Sequence, residues 1–280
     1  MTTPLTFVVP VGDDTIYERY FNSSPLFTNR SNFEIYCQRG FTSAAAAFNA
    51  AIDTAQNDLL VFCHQDIVLP AAWAVNFSQR IDELEYLKPQ WGVVGCAGQT
   101  REEQLAAHLY RHDRELCGVV PLPASVRTLD ECIICFRRSS GLRFDESLAW
   151  FFFYAVDICM QAEARGLQSY VVDSPCFHQA KNRISLPASF YRAEQLIIRK
   201  WRDRLPIQTL SGRVAGNGHL ARKKLRNAGG QFLATFGYRR RPWWVGLPRI
   251  LPEKLVECGG AALGCPESDA QRSINNASRQ

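Results

Sequence analysis

The amino-acid sequence predicts an α/β protein, and three observations support that fold class. Short apolar runs typical of strands recur between residues 5 and 172. Segments with apolar residues at helical spacing separate these runs. Polar side chains follow several of the runs, at the points where strands would leave a sheet. Strands that alternate with helices form a mostly parallel sheet flanked by helices, in which ligands bind beyond the carboxyl ends of the strands.

The predicted elements follow one another in chain order. Strands are predicted at residues 5–11, 33–37, 58–63, 91–97, 129–136 and 169–172. Helices are predicted at residues 15–21, 43–56, 70–87 and 152–165, and basic amphipathic helices at residues 187–205 and 219–227. The helix at residues 15–21 has an N-cap candidate in Asp13 or Asp14, and the helix at residues 43–56 has one in Thr42 or Ser43. Glycine is a common residue just after a helix, so Gly166 predicts the end of the helix at residues 152–165. The polar residues 99–116 predict a long loop or a short helix.

The composition is that of an ordinary globular protein. Hydrophobic residues make up 46% and charged residues 21% of the 280 positions, which is enough chain for one large domain or one domain plus an appendage. No apolar run approaches the ~18 residues that a membrane span needs, and the N-terminus lacks the basic start of a signal peptide. We therefore expect a cytoplasmic protein whose ten cysteines are reduced and mostly buried.

Charge divides the chain into three predicted parts: an α/β domain at residues 1–180, a basic and mainly helical extension at 181–254, and a disordered tail at 255–280. Residues 181–254 hold 17 Lys and Arg against 3 Asp and Glu, whereas the rest of the chain holds 15 basic and 24 acidic residues. Such a split predicts a surface that faces lipid headgroups or a phosphate polymer.

The end of the basic extension favours the membrane surface. Arg239–Arg241 precede Trp243 and Trp244, and this pairing suits cations on lipid phosphates with indoles at headgroup depth. Nucleic acid is the competing partner, but no nucleic-acid-binding motif occurs in the chain. We therefore expect a cytoplasmic protein that binds peripherally to the inner face of the membrane through this extension.

A polar triplet ends the apolar run of residues 59–63. His64, Gln65 and Asp66 stand at the predicted carboxyl end of this strand. Residues 10–14 and 36–40 lie at the carboxyl ends of two other predicted strands. The three segments can therefore converge on one crevice. A turn or a cap would explain Asp66 by itself, and a metal-binding site is the other interpretation.

Two sequence blocks resemble family 2 glycosyltransferases, which have the GT-A fold. The first is SAAAAFNAAIDTAQNDLLVFCHQDIVLP, residues 43–70, and it is similar to the branch that carries His-Gln-Asp in place of Asp-x-Asp. The second runs from Phe144-Asp145-Glu146 to His178. Lys200-Trp201 and Leu205-Pro206 also resemble that branch, so the resemblance covers residues 5–206.

This resemblance implies an enzyme that moves a sugar from a nucleotide-diphosphate donor to an acceptor hydroxyl with inversion. The acceptor would be a glycan or a lipid-linked sugar in surface polysaccharide or glycolipid synthesis. Asp66 and His178 match the positions that hold a divalent metal, Mg²⁺ or Mn²⁺. The positions that match the donor-binding site are Pro10, Val11, Tyr36, Asn49, His64 and Gln65.

One position departs from the family pattern. The branch has an aspartate, the general base, where this chain has Ala155, and alanine cannot accept the acceptor proton. Asp157 is the candidate catalytic residue, although it stands about 200° further round a helix of 3.6 residues per turn. Asp130 or Glu131 is an alternative base.

Three alternatives to a working glycosyltransferase stay open. The first is a catalytically degenerate GT-A protein that serves as a binding or scaffold module, which Ala155 favours. The second is a nucleic-acid-associated protein that uses the basic extension. The third is another nucleotide-binding α/β enzyme such as a nucleotidyltransferase, although the chain has neither G-x-G-x-x-G nor G-x-x-x-x-G-K-[ST].

Overall fold

The computed structural model describes residues 3–111, 114–179 and 186–235 of the chain. The basic and tryptophan-containing segment at residues 239–244 and the predicted tail at residues 255–280 lie outside the described residues. Within the described part, none of the helices is both long enough and apolar enough to cross a membrane.

In the part of the chain that the structure describes, seven strands form the main sheet. They are β1 (Leu5–Val11), β2 (Glu34–Arg39), β3 (Leu59–Cys63), β5 (Trp91–Gly95), β9 (Ala124–Val126), β11 (Ile133–Arg137) and β12 (Gln168–Val171). Their spatial order is β2-β1-β3-β11-β5-β12-β9. The pairs β1–β2, β1–β3 and β5–β12 are parallel, and the pairs that β11 and β9 make are antiparallel. The sheet is therefore mixed, with parallel strands on either side of the antiparallel β11.

A second sheet begins directly after the polar triplet, with the strand that follows Asp66. Its strands are β4 (Ile67–Val68), β6 (Ala97–Gln99), β7 (Leu105–Arg111), β8 (Arg114–Cys117), β10 (Thr128–Leu129) and β13 (Phe177–His178). The order is β10-β6-β7-β13-β4, and β8 pairs with β7. A short hairpin of β14 (Ile207–Thr209) and β15 (Gly212–Val214) completes the strands of the described residues.

The second sheet corrects two sequence predictions. The long loop or short helix predicted at residues 99–116 was wrong, because most of that segment forms β7 and β8. The buried residues of β7 come in adjacent pairs. The segment therefore lacks the alternation of buried and exposed residues by which a strand is predicted. The strand predicted at residues 129–136 is two strands, β10 and β11, and the break between them leaves Asp130 and Glu131 outside either ladder.

The described residues form six α-helices: α1 (Asp14–Arg19), α2 (Ala44–Thr54), α3 (Trp73–Leu87), α4 (Tyr154–Ala164), α5 (Ala188–Lys200) and α6 (Asn217–Thr235). Short 3₁₀ helices lie at Pro25–Asn32, Arg138–Ser140 and Arg202–Arg204. The predicted caps are confirmed, since Asp13 accepts a hydrogen bond from Ile16 N and Ser43 accepts one from Ala46 N. Gly166 follows α4 with φ of +77°, a backbone conformation that favours glycine.

The core lies on both faces of the main sheet. On one face an aromatic cluster of Phe48, Phe62, Phe136 and Phe144 joins α2 to β3 and β11, with ring centroids 4.8–5.5 Å apart. Each fully buried aromatic side chain contributes about 1.5–3 kcal/mol through its removal from water. Phe62 belongs to the strand that ends at the polar triplet, so this packing fixes where that triplet lies.

The described part of the basic extension packs against α4. Phe190 and Ile197 of α5 share an apolar cluster with Val156 and Met160 of α4. On α6, Lys223 pairs with the buried Glu194 of α5 at 2.9 Å. The described cysteines are free thiols, and burial raises the pKa of core thiols such as Cys63 well above its ordinary value.

Candidate functional site

A side-chain amide holds the ends of β1 and β3 together. Gln65 Oε1 accepts hydrogen bonds from the backbone N–H groups of Gly12 and Asp13 at 2.9 and 3.1 Å. Gln65 follows β3, and Gly12 and Asp13 follow β1. The carboxyl ends of the two parallel strands therefore lie side by side, and the crevice predicted between these segments and residues 36–40 stays a prediction.

Three potential metal ligands meet at the same edge. His178 Nε2 lies 3.5 Å from Asp66 Oδ1, and His64 Nδ1 lies 3.8 Å from the same oxygen. The two imidazole nitrogens are 3.4 Å apart. The short antiparallel pair β4–β13 produces this arrangement, because it aligns His178 with Ile67, the residue after Asp66. Residues separated by more than 110 positions in the sequence thus form one cluster.

The environment of Asp66 fits a cation. Its Oδ1 atom is buried and accepts no hydrogen bond from the described residues, although a buried carboxylate oxygen needs a partner. Burial alone would raise the pKa of Asp66, but the imidazoles of His178 and His64 reverse that effect and hold the pKa well below its usual range. One carboxylate oxygen and two imidazole nitrogens form a donor set that suits a first-row divalent metal.

A tyrosine orients one of these imidazoles. Tyr154, the first residue of α4, donates its hydroxyl proton to the backbone carbonyl of Glu131 at 3.1 Å. The same hydroxyl lies 2.9 Å from His64 Nε2, so it accepts the Nε2 proton. In the neutral form of His64 the proton is therefore on Nε2, and the lone pair of Nδ1 faces Asp66 and His178. An outer hydrogen bond that sets the tautomer of a histidine is the usual support of a metal ligand.

Arg111 is a site residue that the sequence analysis missed. It lies on β7 and is the backbone partner of His178 on β13. Burial lowers the pKa of its guanidinium, and the carboxylates of Asp130 and Asp66 act in the opposite direction. The positive charge of Arg111 suits an anionic group bound beside His64, Asp66 and His178. The incorrect loop prediction for residues 99–116 concealed this position.

Besides His64 and Gln65, the four other predicted donor-binding residues divide into two groups. Pro10 and Val11 are the last two residues of β1, next to Gly12, whose N–H group donates a hydrogen bond to Gln65. Tyr36 and Asn49 already have intramolecular partners. The Tyr36 hydroxyl donates to the backbone carbonyl of Thr54 at 3.0 Å, and the Asn49 amide bonds the backbone N–H and C=O of Phe144 at 3.1 and 2.9 Å. The contacts of Tyr36 and Asn49 connect secondary-structure elements near the crevice.

The two positions singled out on α4 are both buried. Ala155 is fully buried. The Asp157 side chain is 1% exposed and accepts hydrogen bonds from Lys200 Nζ at 2.9 Å, Trp201 Nε1 at 2.8 Å and Gln161 Nε2 at 2.7 Å. A carboxylate with three donors and almost no exposure has the environment of a structural ion pair. A catalytic role for Asp157 stays a prediction from the sequence.

Glu131 has the environment of a proton acceptor. It lies in the break between β10 and β11, and its Oε1 accepts a hydrogen bond from Phe153 N at 2.5 Å. Burial raises the pKa of Glu131 to about 8, and the neighbouring Asp130 carboxylate acts in the same direction. Its backbone carbonyl connects it to the metal-ligand cluster through Tyr154. The sequence analysis offered Glu131 only as an alternative, because nothing in the sequence shows that residue 131 reaches the start of α4.

No protein-family model matches the chain. A protein described as "ATP synthase subunits region ORF 6" from Fuscovulum blasticum is 29% identical over 171 residues, which cover 57% of this chain and 67% of that protein.

Several solved glycosyltransferase structures are similar to the chain. GalNAc-T7 with UDP, GalNAc and Mn²⁺ has a TM-score of 0.51 at 8% identity, over 72% of this chain and 49% of that one. The mannosyltransferase PcManGT from Pyrobaculum calidifontis has a TM-score of 0.46 at 14% identity, over 99% and 84% of the two chains. TarS from S. aureus has a TM-score of 0.44 at 12% identity, over 82% and 72%. The likeness to GalNAc-T7 is one of fold, and the predicted α/β, GT-A class is confirmed. Membership of family 2 stays a prediction.

Proposed function

We propose that this protein is a metal-dependent glycosyltransferase that takes its sugar from a nucleotide-diphosphate donor. One observation carries the proposal: His64, Asp66 and His178 converge at a strand end of a GT-A fold, around a buried Asp66 oxygen that accepts no hydrogen bond from the described residues. Ligands of open α/β sheets bind at such an edge. GalNAc-T7, which shares the fold, was solved with a nucleotide, a sugar and Mn²⁺.

The donor set favours Mn²⁺ over Mg²⁺. Mg²⁺ prefers oxygen ligands in near-ideal octahedral geometry, whereas imidazole nitrogen suits the first-row transition metals. Asp66, His64 and His178 would hold the ion and leave its remaining positions to the donor. A divalent metal at this place neutralises the charge that develops on a departing diphosphate.

The chain's own residues have separate tasks in this proposal. Gln65 holds the ends of β1 and β3 together, with Pro10 and Val11 beside it, and the proposal places the nucleotide at this strand end. Arg111 supplies a second positive charge near the cluster for a phosphate oxygen. Tyr154 keeps His64 in the tautomer that presents its lone pair. Tyr36 and Asn49 support the site indirectly, through hydrogen bonds that join β2 to α2 and α2 to Phe144.

A binding experiment tests the proposal. UDP-, GDP- and dTDP-sugars are screened by thermal shift with and without Mn²⁺, on the wild type, on Asp66→Ala and on Asp82→Ala. Asp82 is an exposed carboxylate on α3 and serves as the matched control. We expect at least one nucleotide sugar to raise the melting temperature only with Mn²⁺, in the wild type and in Asp82→Ala but not in Asp66→Ala. A folded wild-type sample that responds to no nucleotide under either condition contradicts the proposal.

A binding or scaffold protein with the same fold is the second candidate function, and the buried Ala155 is the observation that favours it. The two candidates differ in turnover. A scaffold would bind the nucleotide sugar and release no nucleoside diphosphate, whereas an enzyme releases it when an acceptor is present. The screen above therefore continues with an assay of nucleoside diphosphate release.

The acceptor and the cellular location are also proposals. Arg222, Lys224 and Arg226 are exposed on α6, and Leu225 between them is 72% exposed. This combination suits an anionic lipid surface in the cytoplasm, and with it a glycan or lipid-linked acceptor. Sedimentation with vesicles that contain 30% anionic lipid, compared with neutral vesicles, tests it. Equal sedimentation with both would contradict the membrane proposal.

A further inference from the structure

A second cluster of potential metal ligands lies on the hairpin that β7 and β8 form. His108 on β7 stands opposite Cys117 on β8, and Glu115 precedes Cys117 by two residues, so the three side chains share one face of the hairpin. One ligand atom of each side chain lies within 4.8 Å of the ligand atoms of the other two. The cluster shares no residue with the metal-ligand cluster at the end of β3.

The spacing of these atoms approaches that of the ligands around one zinc ion. Zn²⁺ in proteins is bound tetrahedrally by Cys, His and carboxylate ligands at about 2.0–2.3 Å, so its ligand atoms lie about 3.3–3.8 Å apart. His108 Nε2 lies 3.3 Å from Glu115 Oε1 and already has this spacing. Cys117 is exposed, and a movement of at most about 1 Å, the difference between 4.8 and 3.8 Å, brings its Sγ atom to the same spacing.

Asp173 supplies the outer contact that is typical of a histidine ligand. Its Oδ1 atom lies 2.5 Å from His108 Nδ1. In the neutral form of His108 the proton is therefore on Nδ1, and the lone pair of Nε2 faces Glu115. A metal-binding histidine usually donates its other N–H group to a carboxylate or a carbonyl in this way. Asp173 follows β12 of the main sheet, so the contact also ties the hairpin to the main sheet.

The contacts of His108 require either a cation or a second proton. A neutral imidazole has a single N–H group. When that group donates to Asp173, the Nε2 lone pair and the Glu115 oxygen are two acceptors that face each other at 3.3 Å. A Zn²⁺ ion between them accepts both lone pairs, and its two charges balance one carboxylate and one thiolate. An imidazolium between Asp173 and Glu115 is the alternative, and the experiment below distinguishes the two.

The mixture of ligand atoms selects the metal. Mg²⁺ and Ca²⁺ prefer oxygen ligands, whereas a set of one thiolate, one imidazole and one carboxylate suits Zn²⁺. Three protein ligands leave a further position on the ion for water. Among the described strands β8 pairs with β7 alone. A metal bridge from His108 to Cys117 therefore holds an edge strand in place.

We propose that His108, Glu115 and Cys117 bind a zinc ion, with Asp173 as the positioning residue of His108. Bonds form from Zn²⁺ to His108 Nε2, to a Glu115 carboxylate oxygen and to Cys117 Sγ, and the thiol proton of Cys117 passes to solvent. The inference is independent of the proposed glycosyltransferase function, because none of these four residues belongs to the proposed donor site.

Alkylation of Cys117 tests the proposal at a single residue, which is necessary because the ligands at the end of β3 can also bind Zn²⁺. Folded protein is treated briefly with iodoacetamide in a chelator, in Zn²⁺ or in Mg²⁺, and mass spectrometry measures the labelling of each cysteine. Cys117 is exposed, so its thiol reacts unless a metal holds it. The buried Cys63 stays unlabelled while the protein is folded, and the half-buried Cys37 reports any general effect of Zn²⁺.

We expect Zn²⁺, but not Mg²⁺, to slow the alkylation of Cys117 about tenfold or more in the wild type. His108→Gln and Glu115→Gln should remove most of this protection, because two ligands hold the ion less tightly than three. Asp173→Ala should raise the Zn²⁺ concentration that protects Cys117 by about 10–100-fold. Asp173→Asn keeps an acceptor for the Nδ1 proton and should raise it less. His219→Gln, at a histidine of α6 outside the cluster, should match the wild type.

Four outcomes would overturn the inference. Equal alkylation with and without Zn²⁺ in folded wild type would assign the contacts of His108 to an imidazolium between two carboxylates. Protection that persists in both His108→Gln and Glu115→Gln would mean that Cys117 binds zinc through other residues. Equal protection by Mg²⁺ would exclude a thiolate–zinc bond as its cause. An unchanged Zn²⁺ requirement in Asp173→Ala would remove the positioning role of Asp173. If His108→Gln fails to fold, protection that persists in Glu115→Gln overturns the inference by itself.

Discussion

Lys200 on α5 donates a hydrogen bond to the buried Asp157 on α4 at 2.9 Å. The same ammonium group pairs with Asp145 in the segment before α4, and Trp201 Nε1 donates to the other Asp157 oxygen at 2.8 Å. One cation therefore ties α5 to α4 and to the chain that leads into it. This contact explains how the described part of the basic extension supports the start of α4, where Tyr154 and Phe153 act on the site.

The first prediction concerns this ion pair. Lys200→Met should lower the free energy of unfolding by about 3–5 kcal/mol, because it leaves the Asp157 charge buried without its partner. Urea denaturation measures the change. Arg202→Met is the matched control, since among the described residues Arg202 pairs with Asp203 alone and both side chains are more than three-quarters exposed. Its effect should stay within about 0.5 kcal/mol. Equal effects in the two variants would contradict a structural role for the Lys200–Asp157 pair.

The second prediction concerns the hydroxyl that orients His64. Tyr154→Phe removes the acceptor of the Nε2 proton and frees the imidazole to rotate or to change its tautomer. Loss of an outer-shell partner typically weakens metal binding 10–100-fold, so Mn²⁺ affinity measured by calorimetry should fall by about tenfold or more. Tyr86→Phe, at a side chain that is 88% exposed, should bind Mn²⁺ like the wild type. An unchanged affinity in Tyr154→Phe would show that this hydrogen bond does not support a metal ligand.

Much of the framework could be predicted from the sequence because it depends on local patterns. The alternation of apolar runs indicated the α/β class, and Ser43 and Asp13 are caps because their side chains satisfy first-turn N–H groups. The position of Asp66 at a strand end followed from the apolar run before it. These features need only a few neighbouring residues.

The remainder depends on long-range contacts that no local pattern encodes. Arg111 reaches the site because β7 pairs with β13, and the paired burial along β7 resembles neither a helix nor a strand. Glu131 contacts the start of α4 because the segment predicted as one strand, residues 129–136, is broken in two. Its contact with Phe153 also needs a left-handed backbone that an aromatic residue rarely adopts. The break and the left-handed turn are set by tertiary packing.

The third prediction concerns a close approach between β6 and β10. A Cβ atom at Gly98 would lie 2.3 Å from the carbonyl oxygen of Thr128, which backbone atoms cannot relieve without moving a strand. Gly98→Ala should therefore lower the free energy of unfolding by about 1–3 kcal/mol or more, as overpacking does. Gly218→Ala in α6, where nothing lies within 4 Å of the new atom, should be neutral or stabilising by up to about 1 kcal/mol. Thermal or urea denaturation measures both, and a neutral Gly98→Ala would show that the two strands lie further apart.

The fourth prediction concerns the pH dependence of stability that Glu131 causes. Its pKa is about 8 in the folded protein and near the model-peptide value of 4.5 in the unfolded chain. Because the folded-state pKa is raised, the native state holds the Glu131 proton more tightly. The stabilisation from this proton is complete below about pH 4.5 and is lost as the pH rises through 8. A glutamine at this position cannot ionise and keeps a carbonyl oxygen for Phe153 N.

The stability of Glu131→Gln relative to wild type should therefore increase with pH between 5 and 8 and level off above about 8. The gain should reach about 2–4 kcal/mol in urea denaturation of the metal-free protein. Asp130, Asp66 and Tyr154 are present in both proteins, so their own titrations largely cancel in the difference. Glu102→Gln, at an exposed carboxylate, should give a flat difference across the same range. A flat difference for Glu131→Gln would mean that the Glu131 carboxyl group ionises near pH 4.5 in the folded protein.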